Sequence, residues 1–310
     1  MELWNITLIK SFFLVGILQD SRFPEFVCAA ITFLYLVAMA SNGLLLLLIA
    51  MDNRLHVPMY FLLSQLSFMD LLLTSVVAPK TLVDYLCGQN TISFTGCGLQ
   101  MFLELTLGGA EDILLAFMAY DRYVAIHHPL NYMVLMRPTV CWSMVAISWL
   151  LAALSALVYT IYTMHFPFCG NQEIHHLFCE ILPLLKLACA DTSQYELMVY
   201  TMGVTFLLVP LSAILASYTL VLTAVFHMPS AQGRQKALLT CSSHLTVVGL
   251  YYGPAMVMYV LPSVYHNPKQ DNILSVFYTI VTPALNPLIY SLRNKDVLGA
   301  VKKVIGQDTS

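Results

Sequence analysis

The sequence carries little charge and none of the short motifs that mark common enzymes. Asp, Glu, Lys and Arg make up 10% of its 310 residues, whereas soluble domains contain about 25%. The formal net charge is -3, and no cluster of Lys and Arg is dense enough to bind phosphates, which argues against a nucleic-acid-binding protein. The motifs His-Glu-x-x-His and Gly-x-Ser-x-Gly and the phosphate-binding glycine loop are also absent, which argues against an enzyme.

Long apolar runs dominate the chain instead. Apolar and aromatic residues make up 59% of it, and a membrane-spanning helix needs about 20 such residues in succession. Prolines within the runs are compatible with this reading, because neighbouring helices in a membrane protein re-satisfy the freed carbonyl groups. We therefore predict an all-α membrane protein, a seven-transmembrane helix bundle with a short amphipathic C-terminal helix. The predicted spans are 26–50, 58–80, 98–126, 140–160, 196–226, 237–261 and 272–292.

The distribution of basic residues predicts the orientation. Most of the 14 Lys and Arg side chains, among them Arg122, Arg137 and Arg234, fall at one end of the predicted spans. Such an excess marks the cytoplasmic side. We expect a multi-pass plasma-membrane protein with an extracellular segment 1–25, a membrane bundle 26–292 and a cytoplasmic tail 293–310. An external N-terminus makes Asn5 of Asn5-Ile6-Thr7 a candidate glycosylation site.

Four cysteines fall on the side that the basic residues make external. Because that side is oxidising, we expect disulfides among them. Three pairings are possible, and the spacing does not choose between them. The cysteines are Cys97, which begins the third predicted span, and Cys169, Cys179 and Cys189 in the long loop 161–195.

The same loop contains His175, His176 and Glu180 close to Cys179. Histidine and cysteine bind zinc or copper, so these residues could suggest a metal site. A bridged Cys179 would not be available as a ligand. We predict no metal site here.

Four carboxyl groups lie inside the predicted spans, at Asp70, Glu104, Glu111 and Asp112. A lone carboxylate in the membrane costs a few kcal/mol, so each needs a partner or a proton. Glu111 and Asp112 lie about 100° apart around the third helix, so one should meet Asp70 and the other a different cavity. Two carboxylates at one interior site bind a small cation or keep a proton, because both cannot stay ionised. Hydrogen bonding to Ser, Asn or water is the alternative.

The third predicted helix ends in a recognisable sequence. Residues 118–126 read MAYDRYVAI and precede His128-Pro129-Leu130, and at this point the chain resembles the odorant receptors, which are rhodopsin-like (class A) G-protein-coupled receptors. Further signatures of that family follow in order over essentially the whole chain. They are Asn42, LHVPMYFL at 55–62, Asp70, Trp149, Ser217-Tyr218, Lys236-Ala237, TCSSH at 240–244 and PALNPLIYSLRN at 283–294.

The resemblance implies particular pairings and roles. It implies one disulfide between Cys97 and Cys179 and another between Cys169 and Cys189. It implies an interior polar site at Asp70 and Glu111, near Asn42 and Asn286, where a sodium ion or a proton could bind; no other cofactor is implied. The switch that contacts the G protein is implied to comprise Asp121, Arg122, Tyr123, Tyr218, His244 and Tyr290.

The function implied by the resemblance is that of an odorant receptor. Such a receptor binds small, mostly apolar volatile molecules in the outer half of the bundle and activates a stimulatory olfactory-type G protein, which raises cyclic AMP. No Lys or Arg lies in the outer halves of the predicted helices, so anionic ligands are disfavoured. Glu104 could admit an amine, or be satisfied by a proton or by Tyr259. The implied ligand-binding residues are Glu104, Leu105, Gly108, Gly109, Met202, Phe206, Tyr252, Ala255, Met256, Tyr259 and Thr279.

Three points leave alternatives open. The glycines Gly108 and Gly109 could let two helices approach closely instead of making room for a ligand. The chain departs from the family pattern at His127, where a cysteine is usual, and at Pro254, which should bend the sixth helix. The alternative functions are a rhodopsin-like receptor for another small ligand outside olfactory tissue, and a membrane transporter.

Overall fold

The structure is a computed structural model that describes residues 10–169, 172–260, 267–293 and 295–304, most of them helical. The predicted glycosylation site Asn5 lies outside these residues. The three strands within them are β1 (Ser11–Leu14), β2 (Thr91–Ser93) and β3 (Glu173–Ile174). The helices are α1 (Ile17–Asp20), α2 (Pro24–Met51), α3 (Pro58–Cys87), α4 (Phe94–His127), α5 (Tyr132–Leu135), α6 (Pro138–Met164), α7 (Ile181–Leu185), α8 (Ser193–Phe226), α9 (Ala231–Val260), α10 (Pro268–Val276), α11 (Thr282–Arg293) and α12 (Lys295–Val304).

Long helices occupy all the predicted apolar runs. The helices α2, α3, α4, α6, α8 and α9 each correspond to one run, and the last run forms α10 and α11, which a π-helical turn at Phe277–Val281 joins. Within the described ranges, five segments are long and apolar enough to cross a membrane: α2, α3, α6, α8 and Pro268–Ser291. The helices α4 and α9 contain more polar and charged residues and are not among the five. The helical, membrane-type fold predicted from the apolar runs is confirmed.

The helix α3 extends beyond its predicted end at residue 80 and reaches Cys87. Lys80 ends the apolar run, but its ammonium group forms an ion pair with Asp84 one turn further on and donates to the Thr91 carbonyl oxygen at 3.0 Å. An i,i+4 pair of this kind stabilises a helix. The helix stops at Gly88, whose φ of 64° is in the left-handed region that glycine adopts without strain.

Local sequence explains where several helices begin. Proline occupies the first turn of α2, α3, α6 and α10, where its missing N–H group costs nothing. The start of α4 is capped by Ser93, whose Oγ accepts a hydrogen bond from the Gly96 N–H at 3.0 Å. Asn267 caps α10 in the same way, accepting from the Lys269 N–H at 3.0 Å. These caps fix the ends of the helices that carry the candidate site.

The helix α4 runs through the centre of the bundle and contacts α3, α6, α8 and α9. Leu107, Leu114 and other buried side chains of α4 belong to the largest hydrophobic core. The helix α2 packs on α3 and α11, and α12 folds back against α2, where Val297 is buried. Functional groups on α4 therefore face several helices at once.

A small sheet covers the end of the bundle where α4 begins, which we call the sheet end. Strand β1 pairs antiparallel with β2, with Phe12 opposite Ile92, and parallel with β3, with Leu14 opposite Ile174. Phe12 is fully buried and packs edge-on against Phe168 with the ring centroids 5.6 Å apart. Part of the segment 1–25 is thus folded onto the bundle. The opposite end, where α4 finishes, is called the Arg122 end.

Candidate functional site

Two disulfides hold the loop between α6 and α8 at the sheet end. Cys97 of α4 is bonded to Cys179 with a Cα–Cα distance of 5.4 Å, and Cys169 is bonded to Cys189 with a Cα–Cα distance of 5.6 Å. The Gln100 side-chain oxygen also accepts from the Cys179 N–H at 3.0 Å. These are the pairings that the resemblance implied. They hold the segment around Cys179 directly over the start of α4.

Two buried glutamates lie beneath this loop, each with its own tyrosine. Glu104 of α4 accepts a hydrogen bond from the Tyr278 hydroxyl at 2.9 Å. Glu180 of the loop accepts one from the Tyr259 hydroxyl at 3.1 Å. Tyr259, one of the alternatives offered for Glu104, thus donates to Glu180, and Tyr278 donates to Glu104 in its place. The four side chains connect α4, α9, the π-helical turn and the loop.

His176 ties the same loop to α10. Its Nε2 atom lies 3.0 Å from Glu180 Oε2 and 3.0 Å from Ser275 Oγ, and its Nδ1 atom lies 3.1 Å from the Phe178 carbonyl oxygen. Cys179 is consumed by its disulfide. The described part of the chain contains no group of three His, Cys, Asp or Glu residues placed to hold a metal ion. His176 thus has a complete set of hydrogen-bonding partners in the loop and α10.

The two adjacent glycines of α4 have different surroundings. A Cβ on Gly109 would lie 3.3 Å from the Ala152 Cβ of α6, so this glycine permits close helix packing. A Cβ on Gly108 would meet only the Tyr251 hydroxyl, at 4.0 Å. That hydroxyl donates to the Gly108 carbonyl oxygen at 2.7 Å. Gly109 therefore fits the alternative of close helix packing, and Gly108 has space beside it.

Asp112 lies one turn further along α4 from Gly108 and interacts with Tyr252 of α9. Both side chains are buried, with 4% of each exposed. Neither Asp112 Oδ1 nor the Tyr252 hydroxyl has a hydrogen-bond partner. The rings of Tyr251 and Tyr252 lie edge to face with centroids 5.2 Å apart. A pair of unsatisfied polar groups therefore lies in the middle of the bundle.

The remaining predicted ligand-binding residues have varied environments. Met202 and Phe206 of α8 are 44% and 38% exposed, and the buried stripe of α8 passes instead through Leu207 and Ile214. Leu105 packs on the cluster at the sheet end. Thr279 is buried and donates to the Ser275 carbonyl oxygen at 2.6 Å, so its hydroxyl is already satisfied. Ala255 and Met256 of α9 pack against the main core, on the turn that follows Tyr252.

An interior polar site lies deeper in the bundle. The Asn286 amide donates to both carboxyl oxygens of Asp70, at 3.2 and 3.1 Å, and Glu111 interacts with the same carboxyl group. Glu111 Oε1 and Asn286 Oδ1 have no hydrogen-bond partner. Asn42 instead donates to the Pro283 carbonyl oxygen at 2.9 Å, so it joins α2 to α11. Of Glu111 and Asp112, it is Glu111 that meets Asp70.

At the Arg122 end, Arg122 forms an ion pair with the adjacent Asp121. The Tyr132 hydroxyl of α5 donates to the other oxygen of Asp121 at 2.7 Å, and burial together with the Asp121 charge raises the pKa of Tyr132. The Tyr218 hydroxyl lies 2.7 Å from His244 Nδ1 and joins α8 to α9. Asp121 is therefore held between its own helix and the loop that follows it.

A cavity of about 30 Å³ lies among Arg122, His244 and Tyr290, three of the predicted switch residues. The Tyr290 hydroxyl and His244 Nε2 have no hydrogen-bond partner, and a space of this size admits water. The ring of Tyr123 faces outward from this cavity and packs on His127 with centroids 4.5 Å apart. Four of the predicted switch residues, Asp121, Arg122, His244 and Tyr290, thus line a small cavity whose other walls are mainly apolar.

A larger groove, of about 480 Å³, opens near the Arg122 end between α2, α3 and α6. It is lined mainly by apolar side chains, including Ile49, Phe61, Met133 and Trp142. No residue predicted to bind the ligand borders it. It is separate from the cluster at Glu104 and from the Asp112–Tyr252 pair.

The sequence profile of the olfactory receptor family matches residues 31–308. The chain belongs to the olfactory receptor family. Three human relatives are similar to it over nearly their whole length. Olfactory receptor 2AG1 is 70% identical over 307 residues, which are 99% of this chain and 97% of that protein; olfactory receptor 2AG2 is 68% identical over 307 residues, also 99% and 97%; and olfactory receptor 2T27 is 53% identical over 310 residues, 100% and 98%.

Membership confirms the resemblance drawn from the motifs. As an olfactory receptor, the chain is a multi-pass membrane receptor for odorants that works with a G protein, and not an enzyme. The transporter alternative has no support from these relatives.

Tyr278, Tyr251 and Tyr132 of this olfactory receptor complete the candidate site and were missed by sequence reasoning, whereas His176 and Glu180 were considered only as possible metal ligands. Tyr278, Glu180 and His176 form the polar cluster under the loop, and Tyr251 bonds to Gly108. The only sequence signal for them was the presence of buried acids that required donors. Tyr132 belongs to a loop whose fold against Asp121 leaves no periodic pattern in the sequence.

Proposed function

We propose that this olfactory receptor is a seven-transmembrane protein in the plasma membrane with its sheet end outside and its Arg122 end inside. In this arrangement α4 and α9 span the membrane together with the five more apolar segments. Their acids and polar groups are buried against neighbouring helices, as intramembrane polar groups are. The excess of Lys and Arg at the Arg122 end supports the orientation. The helix α12 (Lys295–Val304) then lies along the inner leaflet.

The receptor binds a small, mostly apolar and uncharged odorant among α4, α8, α9 and the π-helical turn. The residues proposed to face it are Gly108, Tyr252, Ala255 and Met256, whereas Met202 and Phe206 lie on the exposed side of α8 and are not included. Few polar groups there lack a partner, so most of the binding energy would come from apolar contact. The glutamate and tyrosine cluster under the loop closes the outer end of this region and holds the loop in place.

Ligand binding is transmitted to a stimulatory olfactory-type G protein through the Arg122 end. The observation that carries this proposal is the arrangement in which Arg122 pairs with Asp121 while Tyr218 binds His244 beside a small cavity. Outward movement of α9 would separate His244 from Tyr218 and open the space around Arg122. The ligand favours the open arrangement by no more than its difference in affinity for the two states.

Cyclic AMP output in cells that express the receptor tests this function. The panel comprises volatile alcohols, aldehydes, ketones, esters and amines, with the amount of receptor at the cell surface measured in parallel. At least one ligand should raise cyclic AMP, and Arg122→Ala should abolish the response at an unchanged surface level. The matched control is Arg22→Ala, an exposed arginine near the sheet end, which should respond like the wild type. A response that survives Arg122→Ala would contradict the proposal.

The orientation has its own test. Removal of N-linked glycans should shift the mobility of the wild-type protein but not of Asn5→Gln. An epitope fused to the N-terminus should be stained on intact cells, and one fused to the C-terminus only after permeabilisation. The reverse pattern would contradict the orientation.

A further inference from the structure

Asp112 and Tyr252 are polar side chains in the interior whose hydrogen bonds are incomplete. Each is 4% exposed, and Asp112 Oδ1 and the Tyr252 hydroxyl have no hydrogen-bond partner. Burying an unpaired polar group costs about 1–3 kcal/mol. The two side chains interact with each other, but neither of these atoms makes a hydrogen bond of good geometry, so a ligand atom that bonds to both would remove this cost.

The surroundings of Asp112 determine which hydrogen-bonding groups it offers. In the described part of the chain, the titratable side chains around it are Glu111 on its own helix and Tyr251 and Tyr252 on α9, and none of them is basic. A carboxylate without a cation is very costly at this depth. The carboxyl group therefore keeps its proton. Together with the phenol of Tyr252 it presents two O–H donors, and its second oxygen remains an acceptor.

There is room for an added side-chain carbon one turn before Asp112. Gly108 lies one turn before Asp112 on the same face of α4, and a Cβ placed on it would touch only the Tyr251 hydroxyl, at 4.0 Å. The Tyr251 hydroxyl is itself held by the Gly108 carbonyl oxygen. Met256 lies one turn beyond Tyr252 on α9 and supplies an apolar surface. The pair thus lies at the deep end of the proposed odorant pocket.

We propose that Asp112 and Tyr252 are the polar recognition site of this pocket and donate two hydrogen bonds to the carbonyl oxygen of an aldehyde, ketone or ester. The inference rests on the proposed function and adds Asp112 to the binding residues. A carbonyl oxygen has two lone pairs and no proton, so it satisfies both donors at once. An alcohol brings a third proton, for which the acceptor is the second carboxyl oxygen of Asp112, so three hydrogen bonds must fit at one ligand oxygen instead of two. An anionic ligand would find no basic partner among the described residues of the pocket.

Matched ligands test the inference directly. Cyclic AMP responses to an aliphatic methyl ketone, the secondary alcohol of the same skeleton and the parent alkane are compared at equal surface level. The wild type should respond to the ketone at concentrations about tenfold lower than to the alcohol. Tyr252→Phe and Asp112→Leu should each lower ketone potency by about tenfold, which is the upper range of one hydrogen bond, and should remove the preference for the ketone.

Two further variants separate donation from packing. Asp112→Asn keeps an N–H donor in the same shape, so ketone potency should stay within about threefold of the wild type. Thr106→Val removes a buried hydroxyl of α4 that bonds only within its own helix, and it should leave both potencies unchanged. If Asp112→Leu does not reach the surface, Tyr252→Phe and Asp112→Asn carry the test.

Different results would overturn different claims. If the wild type responds but Tyr252→Phe shifts ketone and alcohol potency equally, or not at all, the pair does not recognise a carbonyl and the inference fails alone. In that case water satisfies the two groups. If a fully expressed wild type responds to no member of the wider odorant panel, the proposed function fails and this inference fails with it.

Discussion

The Tyr218 hydroxyl and His244 Nδ1 lie 2.7 Å apart and form a buried hydrogen bond between α8 and α9. The two rings are also stacked, with centroids 5.5 Å apart. The bond exists while Arg122 is paired with Asp121, so in the proposed switch it belongs to the closed arrangement of the Arg122 end. It is the only polar side-chain link between these two helices among the hydrogen bonds described at that end.

Tyr218→Phe should raise basal cyclic AMP. It removes the hydroxyl but keeps the stacked ring, so the closed arrangement loses about 1 kcal/mol, or about a fivefold change in its equilibrium with the open one. The measurement is ligand-free cyclic AMP at matched surface level. Tyr200→Phe is the control, because Tyr200 bonds to the Val260 carbonyl oxygen at the other end of α8. A basal level equal to that of the wild type would show that the bond does not hold the closed state.

Cys97→Ser should strongly reduce both the surface level and the response. The Cys97–Cys179 bridge fixes the loop that carries Glu180, and without it the cluster with Tyr259 would lose its position. Surface staining and the ligand response are the measurements. Cys87→Ser, which changes an exposed free cysteine, should leave both unchanged. Normal surface level and potency in Cys97→Ser would contradict the role of the bridge.

The neighbouring glycines of α4 should respond differently to enlargement. Gly108→Leu fills the space beside Tyr251, so agonist potency should fall by about tenfold or more while the surface level is kept. Gly109→Leu forces α4 and α6 apart at Ala152 and should destabilise the folded receptor by about 1–3 kcal/mol. The amount of receptor at the cell surface should therefore fall. Each variant is the control for the other. Equal effects of the two on potency and surface level would show that this division is wrong.

Asp70→Asn should change the sodium dependence of signalling. Asp70 and Glu111 meet at one buried site, and Glu111 Oε1 and Asn286 Oδ1 have no hydrogen-bond partner, which suits a small cation or a shared proton. The measurement is agonist potency in sodium buffer and in a buffer of the same ionic strength with a large organic cation. Asp191→Asn, an exposed acid of the loop before α8, is the control. If wild type and Asp70→Asn depend on sodium identically, the site does not bind a sodium ion, and the shared proton is the remaining explanation.

The sequence alone determined the class of the protein. The apolar runs indicated a helical membrane protein, because the runs are long enough to cross a bilayer as helices, which satisfy their own backbone hydrogen bonds there. Arg122 could be placed at one end of the third helix and Cys97 at the other, because a helix rises by a fixed distance per residue. The ordered motifs around them identified the olfactory receptor family before any side chain was placed, and the relatives confirm it.

The tertiary structure decided which groups meet. Helical periodicity shows that Gly108 and Asp112 share a face, but it does not show which helix that face meets, because the rotation of each helix is set by packing against all its neighbours. Glu104 therefore accepts a hydrogen bond from Tyr278 and not from Tyr259. Gly109 packs against Ala152, and Met202 lies on the exposed side of its helix. Partners as far apart in sequence as Asp70 and Asn286 leave no local pattern, since their contact exists only after the whole bundle has assembled.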